Sequence, residues 1–176
     1  IMDTFAAMAL ASLPPSEAVM QNKPRDRKAF IINPSMSRQI IGVGGLFFIL
    51  LLGLLYMLEY APINSMTDLL TWHPTGPREL TNHELSIFFT VFVMLQFWNM
   101  FNARAFATGK STFHFKDCKG FGIIVLVILI GQIIIVQFGG KMFNVTPLCL
   151  TDWIAIIVVT SLVLWVGELL RLINRK

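Results

Sequence analysis

A single carboxylate stands where a carboxylate is costly. Asp3 is followed by TFAAMALASL, a run of apolar and small residues closed by Pro14 and Pro15. An ionisable group in such a run marks a functional site when the run lies in a membrane. Its oxygens suit a hard cation such as Ca²⁺. The bland alternative is a helix N-cap, a position that Asp favours, but a helix starting at residue 3 would be too short to cross a bilayer. Ala6, Ala7, Ala9 and Ala11 keep the remainder thin, so that other helices can crowd close to Asp3.

Gln96, Asn99 and Asn102 form a second polar set, spaced i, i+3, i+6 in LQFWNMFNAR, which keeps them roughly along one helix face. Buried amides in membranes commonly join helices by hydrogen bonds, and that is the first reading here. The second is a row of neutral oxygen donors beside a cation path, with Gln96 as a weak candidate ligand. Asn102 and Arg104, near the end of the run, suit capping or anchoring of the next loop. Glu168 precedes Arg171 by three residues, a spacing for an ion pair with snorkelling. Gln132 and Gln137 read as packing contacts, and His73, His83 and His114 as isolated. Cys118 and Cys149 lack metal-ligand spacing. No phosphate-cradling glycine loop and no nucleophile–base set is present, so no catalytic and no cofactor-binding residue is assigned.

The elements that must position these groups follow from hydropathy. Of 176 residues, 55% are hydrophobic and 14% charged, and mean hydropathy is +0.68. Ile40–Leu58, Leu85–Phe101, Gly120–Gly140 and Trp153–Gly167 carry no charge at all. With their flanks, each is long enough to span a bilayer with some tilt. The 1–13 segment reaches only about 20 Å at 1.5 Å per residue, against a core of about 30 Å. The expected fold is therefore an all-α integral membrane bundle of four full transmembrane helices plus one truncated N-terminal half-helix. The start without Met and the half-span read as a fragment continuing upstream. Spans are expected over 40–59, 83–106, 120–139 and 151–173, with a helical turn near 64–71 in an otherwise irregular loop. Gly42, Gly44, Gly45 and Gly53 predict close packing of the 40–59 helix on a neighbour. Trp72, Trp153, Tyr56 and Tyr60 suit an interfacial belt.

Charge placement sets orientation. All the basic residues except Arg78 and Lys141 fall in 14–39, in 103–119 or in the tail from 170. The positive-inside rule puts those three on the cytoplasmic side. Cys118 and Cys149 then lie on opposite sides and cannot pair within one chain. The basic clusters serve topology before anything else, and a nucleic-acid partner is not expected; the lipid bilayer is.

IMDTFA with ALA and PP after it, NKPRDR, FVMLQFWNMFNAR and VQFGGKMFNVTPLCLTDW resemble the C-terminal end of P-type calcium ATPases of the plasma-membrane type. The resemblance covers essentially the whole chain. It implies that 1–13 is the end of transmembrane helix six, 14–39 a cytoplasmic loop, and 40–176 the cation-transporting ATPase C-terminal domain with helices seven to ten. It makes Asp3 a Ca²⁺ ligand and implies ATP and Mg²⁺ bound by upstream domains of the same pump, without which this chain should be inactive. Two-ion pumps of the sarcoplasmic-reticulum type have a glutamate where this chain has Gln96 and a threonine where it has Met2. An amide and a thioether are poor substitutes around Ca²⁺, which is the pattern of a single-ion pump. The resemblance makes MQNKPRDRK a coupling loop, with Lys23, Arg25 and Arg27 facing the phosphorylation domain. The short tail, without a calmodulin-binding extension, suggests a bacterial inner-membrane relative with a cytoplasmic C-terminus. A non-catalytic membrane scaffold or partner-binding protein, and a secondary cation transporter, remain as alternatives; the second lacks a visible inverted repeat.

Overall fold

The computed structural model of the chain describes residues 2–13, 32, 34–108 and 119–174. Lys23, Arg25, Arg27, His114 and Cys118 lie outside the described residues, as does the side chain of Arg171.

Helices are the main regular structure of the described residues, with no strand among them. Helix α1 is Met2–Ala11, and α2 is Pro34–Tyr60. A short 3₁₀ helix, Met66–Thr71, lies in the connection to α3, Asn82–Thr108. Helix α4 is Lys119–Phe138, α5 the single turn Gly140–Phe143, and α6 Leu150–Asn174. Four helices, α2, α3, α4 and α6, are long and apolar enough to cross a membrane, as the charge-free runs predict. Helix α2 starts six residues before the expected 40. Proline is preorganised for the first helical position, where its missing N–H costs nothing. The loop expected over 14–39 therefore gives up its last residues to the helix.

Helix α3 is the axis of the bundle. Of its span, 61% is buried, against 11% for α2, 22% for α4 and 28% for α6. Its Ile87, Val91, Met94, Phe97 and Phe101 form the core with Phe121 and Ile128 of α4 and Ile156 and Leu164 of α6. Helix α1 packs on α4 and α3, and its Ala9 is fully buried. The outward faces of α2, α4 and α6 are bare Ile, Leu, Val and Phe, among them Ile41, Phe48, Ile123 and Val158. Lipid is the solvent for such faces, so helix association there must come from packing and hydrogen bonds.

A polar ladder runs down the α3–α6 seam. Trp98 Nε1 donates to Thr160 Oγ1 at 3.0 Å, and Asn102 Nδ2 donates to the Val163 carbonyl at 2.9 Å. Asn102 thus joins two helices. Gly167 makes this possible: a Cβ there would stand 2.4 Å from Asn102 Oδ1. The close packing predicted from the glycines of α2 has no counterpart among the described residues. Nothing lies within 4 Å of a Cβ built on Gly42, Gly44, Gly45 or Gly53, so no described helix covers that face. Trp153, expected at an interface, is buried.

Candidate cation site and the clasp that frames the bundle

Asp3 stands in the first turn of α1, exposed, on a helix with no other ionisable residue. Because α1 lies against α3, the helix of Asp3 and the helix of Gln96 are neighbours. Gln96 and Asn99 are half-buried. Among the described residues no hydrogen bond joins Asp3 to Gln96, and no group of three or more His, Cys, Asp and Glu could hold a metal ion. One carboxylate with neutral amides on the adjoining helix can contribute oxygens to a shared cation site; it cannot enclose a divalent ion, which takes six to eight oxygens when it is Ca²⁺.

Of the remaining polar groups, Gln137 donates to the Leu148 carbonyl at 2.9 Å, a packing contact as expected. Gln132 is buried, but its Nε2 finds no partner among the described residues. His83 is not isolated: its Nε2 lies 3.0 Å from the Asn64 carbonyl and 3.8 Å from Asp152 Oδ2. Cys149 is exposed, and its thiol donates to Asp152 Oδ2 at 3.0 Å. Glu168 is half-buried; the ion pair expected with Arg171 involves a side chain outside the described residues.

Two buried carboxylates at one end of the bundle escaped the sequence reading. Glu84 closes a capping box on α3: its Oε2 accepts from Thr81 N at 2.8 Å, and Thr81 Oγ1 accepts from Glu84 N at 3.3 Å. Glu84 Oε1 accepts from Ile63 N at 3.0 Å and pairs with Arg78. Arg78 in turn donates to the carbonyls of Leu58 and Ala61, at 3.1 and 2.7 Å, satisfying the open C-terminal turn of α2. Trp72 Nε1 and Thr75 N complete that turn on Met57 and Tyr60. Asp152, in the first turn of α6, accepts from Met66 N at 2.8 Å and Ser65 Oγ at 2.9 Å. Together Glu84 and Asp152 clasp α2, the 3₁₀ helix, α3 and α6 at one end. Buried charge must be compensated: Glu84 is paired with Arg78 and accepts from Ile63 and Thr81, and Asp152 accepts from Met66, Ser65 and Cys149. The TNHE stretch at 81–84 was the legible signal for half of this clasp.

Four span-length helices, one of them central, and a short helix bearing one carboxylate define the class: the helical sector of a multi-pass membrane protein. The chain belongs to the family described as cation transporting ATPase, C-terminus, which it matches over residues 1–173. It is 35% identical to plasma membrane calcium-transporting ATPase 2 of Oreochromis mossambicus over 155 residues, covering 87% of this chain and 13% of that protein. It is 34% identical to calcium-transporting ATPase PAT1 of Dictyostelium discoideum, covering 97% of this chain and 15% of that protein. Against plasma membrane calcium-transporting ATPase 4 of Homo sapiens the identity is 32%, over 97% of this chain and 13% of the human protein. The chain therefore spans under a sixth of these relatives' length. None of these organisms is a bacterium, and nothing in the matches supports the bacterial source expected above.

Proposed function

We propose that the chain is the C-terminal membrane sector of an ATP-driven pump that exports Ca²⁺ from the cytoplasm, with Asp3 as one ligand of the transported ion. The supporting observation is the match of nearly the whole chain to calcium-transporting ATPases, through a sector whose first helix carries Asp3 as its one ionisable group. The family match also argues against the scaffold and secondary-transporter readings.

The chemistry is that of a half-site. Asp3 supplies a charged oxygen and Gln96 at most a dipole, so this sector suits one divalent ion per cycle, not two. ATP and Mg²⁺ belong to domains of the same pump outside this sequence. The uncovered face of α2 suits packing by the rest of that pump, and the remaining apolar faces suit the bilayer of a plasma membrane. Lys23, Arg25 and Arg27, in the segment following the ligand-bearing helix, are read as contacts to the phosphorylation domain. The 14–33 segment, the segment between α3 and α4, and the C-terminus are read as cytoplasmic from their charge.

ATP-driven ⁴⁵Ca²⁺ uptake by inside-out vesicles holding the full-length protein tests this reading. One Ca²⁺ per ATP is expected, with Gln96→Ala changing the affinity modestly or not at all. Two Ca²⁺ per ATP would refute the single site, and no uptake would refute the pump.

A further inference from the structure

The last turn of α1 is seated against α4 so closely that a side chain at Gly120 would force its neighbour to shift by a few tenths of an ångström. A Cβ at Gly120 would stand 3.1 Å from Ser12 Oγ and 3.3 Å from Ser12 Cβ. The serine hydroxyl is not free to swing away without loss, because it donates to the Ala9 carbonyl at 2.8 Å. Its Cβ is fixed by the backbone, where Ser12 N donates to the Met8 carbonyl at 3.0 Å. Any side chain at 120 therefore pushes on the end of α1 itself.

Helix α4 cannot yield instead. Phe121, the next residue, is 1% exposed. Its ring meets Phe101 of α3 edge-on at 5.3 Å between centroids, and the Arg104 guanidinium carbon stands 5.0 Å from its centroid. That cation–π contact is strengthened by its water-poor setting. Arg104 is itself buried. Between these two anchors in sequence, Asn102 ties α3 to α6. The foot of α4 is thus held by α3, the most deeply buried helix of the bundle, which is itself tied to α6.

We propose that Ser12 and Gly120 are positioning residues for cation binding: their close approach fixes the seat of α1 and so the place of Asp3. The proposal rests on the reading of Asp3 as a Ca²⁺ ligand. The sequence MDTFAAMALA contains neither glycine nor proline, so α1 moves as a rigid rod. Asp3 is nine residues from Ser12, about 14 Å along that rod. A shift of several tenths of an ångström at the seat therefore reaches the carboxylate, and Ca²⁺–oxygen distances tolerate only about 0.3 Å of spread. The hydroxyl of Ser12 is not a ligand in this account; it acts through the helix.

The test uses the full-length pump, with phosphorylation from ATP measured against Ca²⁺ concentration. Misplacing a reacting group by about 1 Å can cost about a hundredfold. Gly120→Leu should accordingly raise the half-maximal Ca²⁺ concentration by about tenfold or more, and Gly120→Ala by about threefold. Both should keep the phosphorylation level reached at saturating Ca²⁺. Adding Ser12→Gly to Gly120→Ala should restore the wild-type concentration, which a nonspecific packing defect would not allow. Asp3→Asn is run beside them. If Asp3→Asn is inactive while Gly120→Leu binds Ca²⁺ as tightly as wild type, the positioning role is overturned and the ligand reading survives. If Asp3→Asn retains wild-type Ca²⁺ dependence, both are overturned. Should the leucine variant fail to accumulate, Ser12→Cys with Gly120→Cys, in a background of Cys118→Ser and Cys149→Ser, decides the geometry. A disulfide forming readily under mild oxidation supports the seat; its absence overturns it.

Discussion

Gly167→Ala is the sharpest test of the α3–α6 seam. The added methyl would stand 2.4 Å from Asn102 Oδ1, 2.6 Å from its Cγ and 2.7 Å from its Nδ2. No real Cβ tolerates three such contacts, so the amide of Asn102 must leave its place. It then forfeits the bond to the Val163 carbonyl. Interhelical hydrogen bonds in membranes average about 0.6 kcal/mol and reach about 1.7. An amide that loses its buried partner costs about 1–3 kcal/mol more. The expected loss is therefore about 2–4 kcal/mol, well above the effect of adding one methyl to an exposed glycine. Asn102→Ala alone should cost about 1 kcal/mol, since it deletes the amide and does not strand it. The double variant should return close to Asn102→Ala, because the alanine at 102 leaves room for the methyl at 167. Reversible unfolding of the purified protein in detergent, followed through its tryptophans, measures all three. If Gly167→Ala is as stable as wild type, or costs as much in the Asn102→Ala background as alone, the interlock is wrong.

Breaking the clasp should have a different signature. Glu84→Ala strands Arg78 among the carbonyls of α2 and opens the N–H groups of Ile63 and Thr81; a loss of about 3–5 kcal/mol is expected, with protease cleavage appearing between residues 61 and 81, and an unchanged digest would contradict it. Asp152→Asn keeps the shape of Asp152 but must turn an N–H toward one of its donors, so a smaller loss, about 1–3 kcal/mol, is expected in the same assay. Orientation is checked by thiol labelling: Cys149, exposed beside the clasp, should react with an impermeant reagent from outside the cell, and Cys118 only from inside. Labelling of both from one side would overturn the topology.

The spans were legible because lipid imposes a simple demand: long runs without charge. All four were visible in sequence, and only the start at Pro34 lay more than one residue from its expected place. Asp3 was legible for the same reason, as one acid among TFAAMALASL. The clasp was not. Glu84 reaches Ile63 across 21 residues and Asp152 reaches Met66 across 86, and no local spacing announces such pairings. Only its capping box at Thr81–Glu84 was written locally. Arg78, counted as a stray charge on the sparsely basic side, proved to be the C-terminal cap of α2. The α2 glycines permit close approach, but the described residues supply no neighbour for them. Gly120 and Gly167 do have neighbours, Ser12 and Asn102, and nothing in their flanking sequence distinguishes them from the rest.

The central claim is that Asp3 binds the transported ion. It is tested by measuring Ca²⁺-dependent phosphorylation from ATP in membranes holding equal amounts of the full-length pump and its Asp3→Asn variant. Asparagine keeps the shape and one oxygen but removes the charge that a divalent ion in a low-dielectric site requires. The account predicts Ca²⁺-triggered phosphorylation in the wild type and none in the variant at any Ca²⁺ concentration that saturates the wild type. Phosphorylation of Asp3→Asn with the wild-type Ca²⁺ dependence would contradict it.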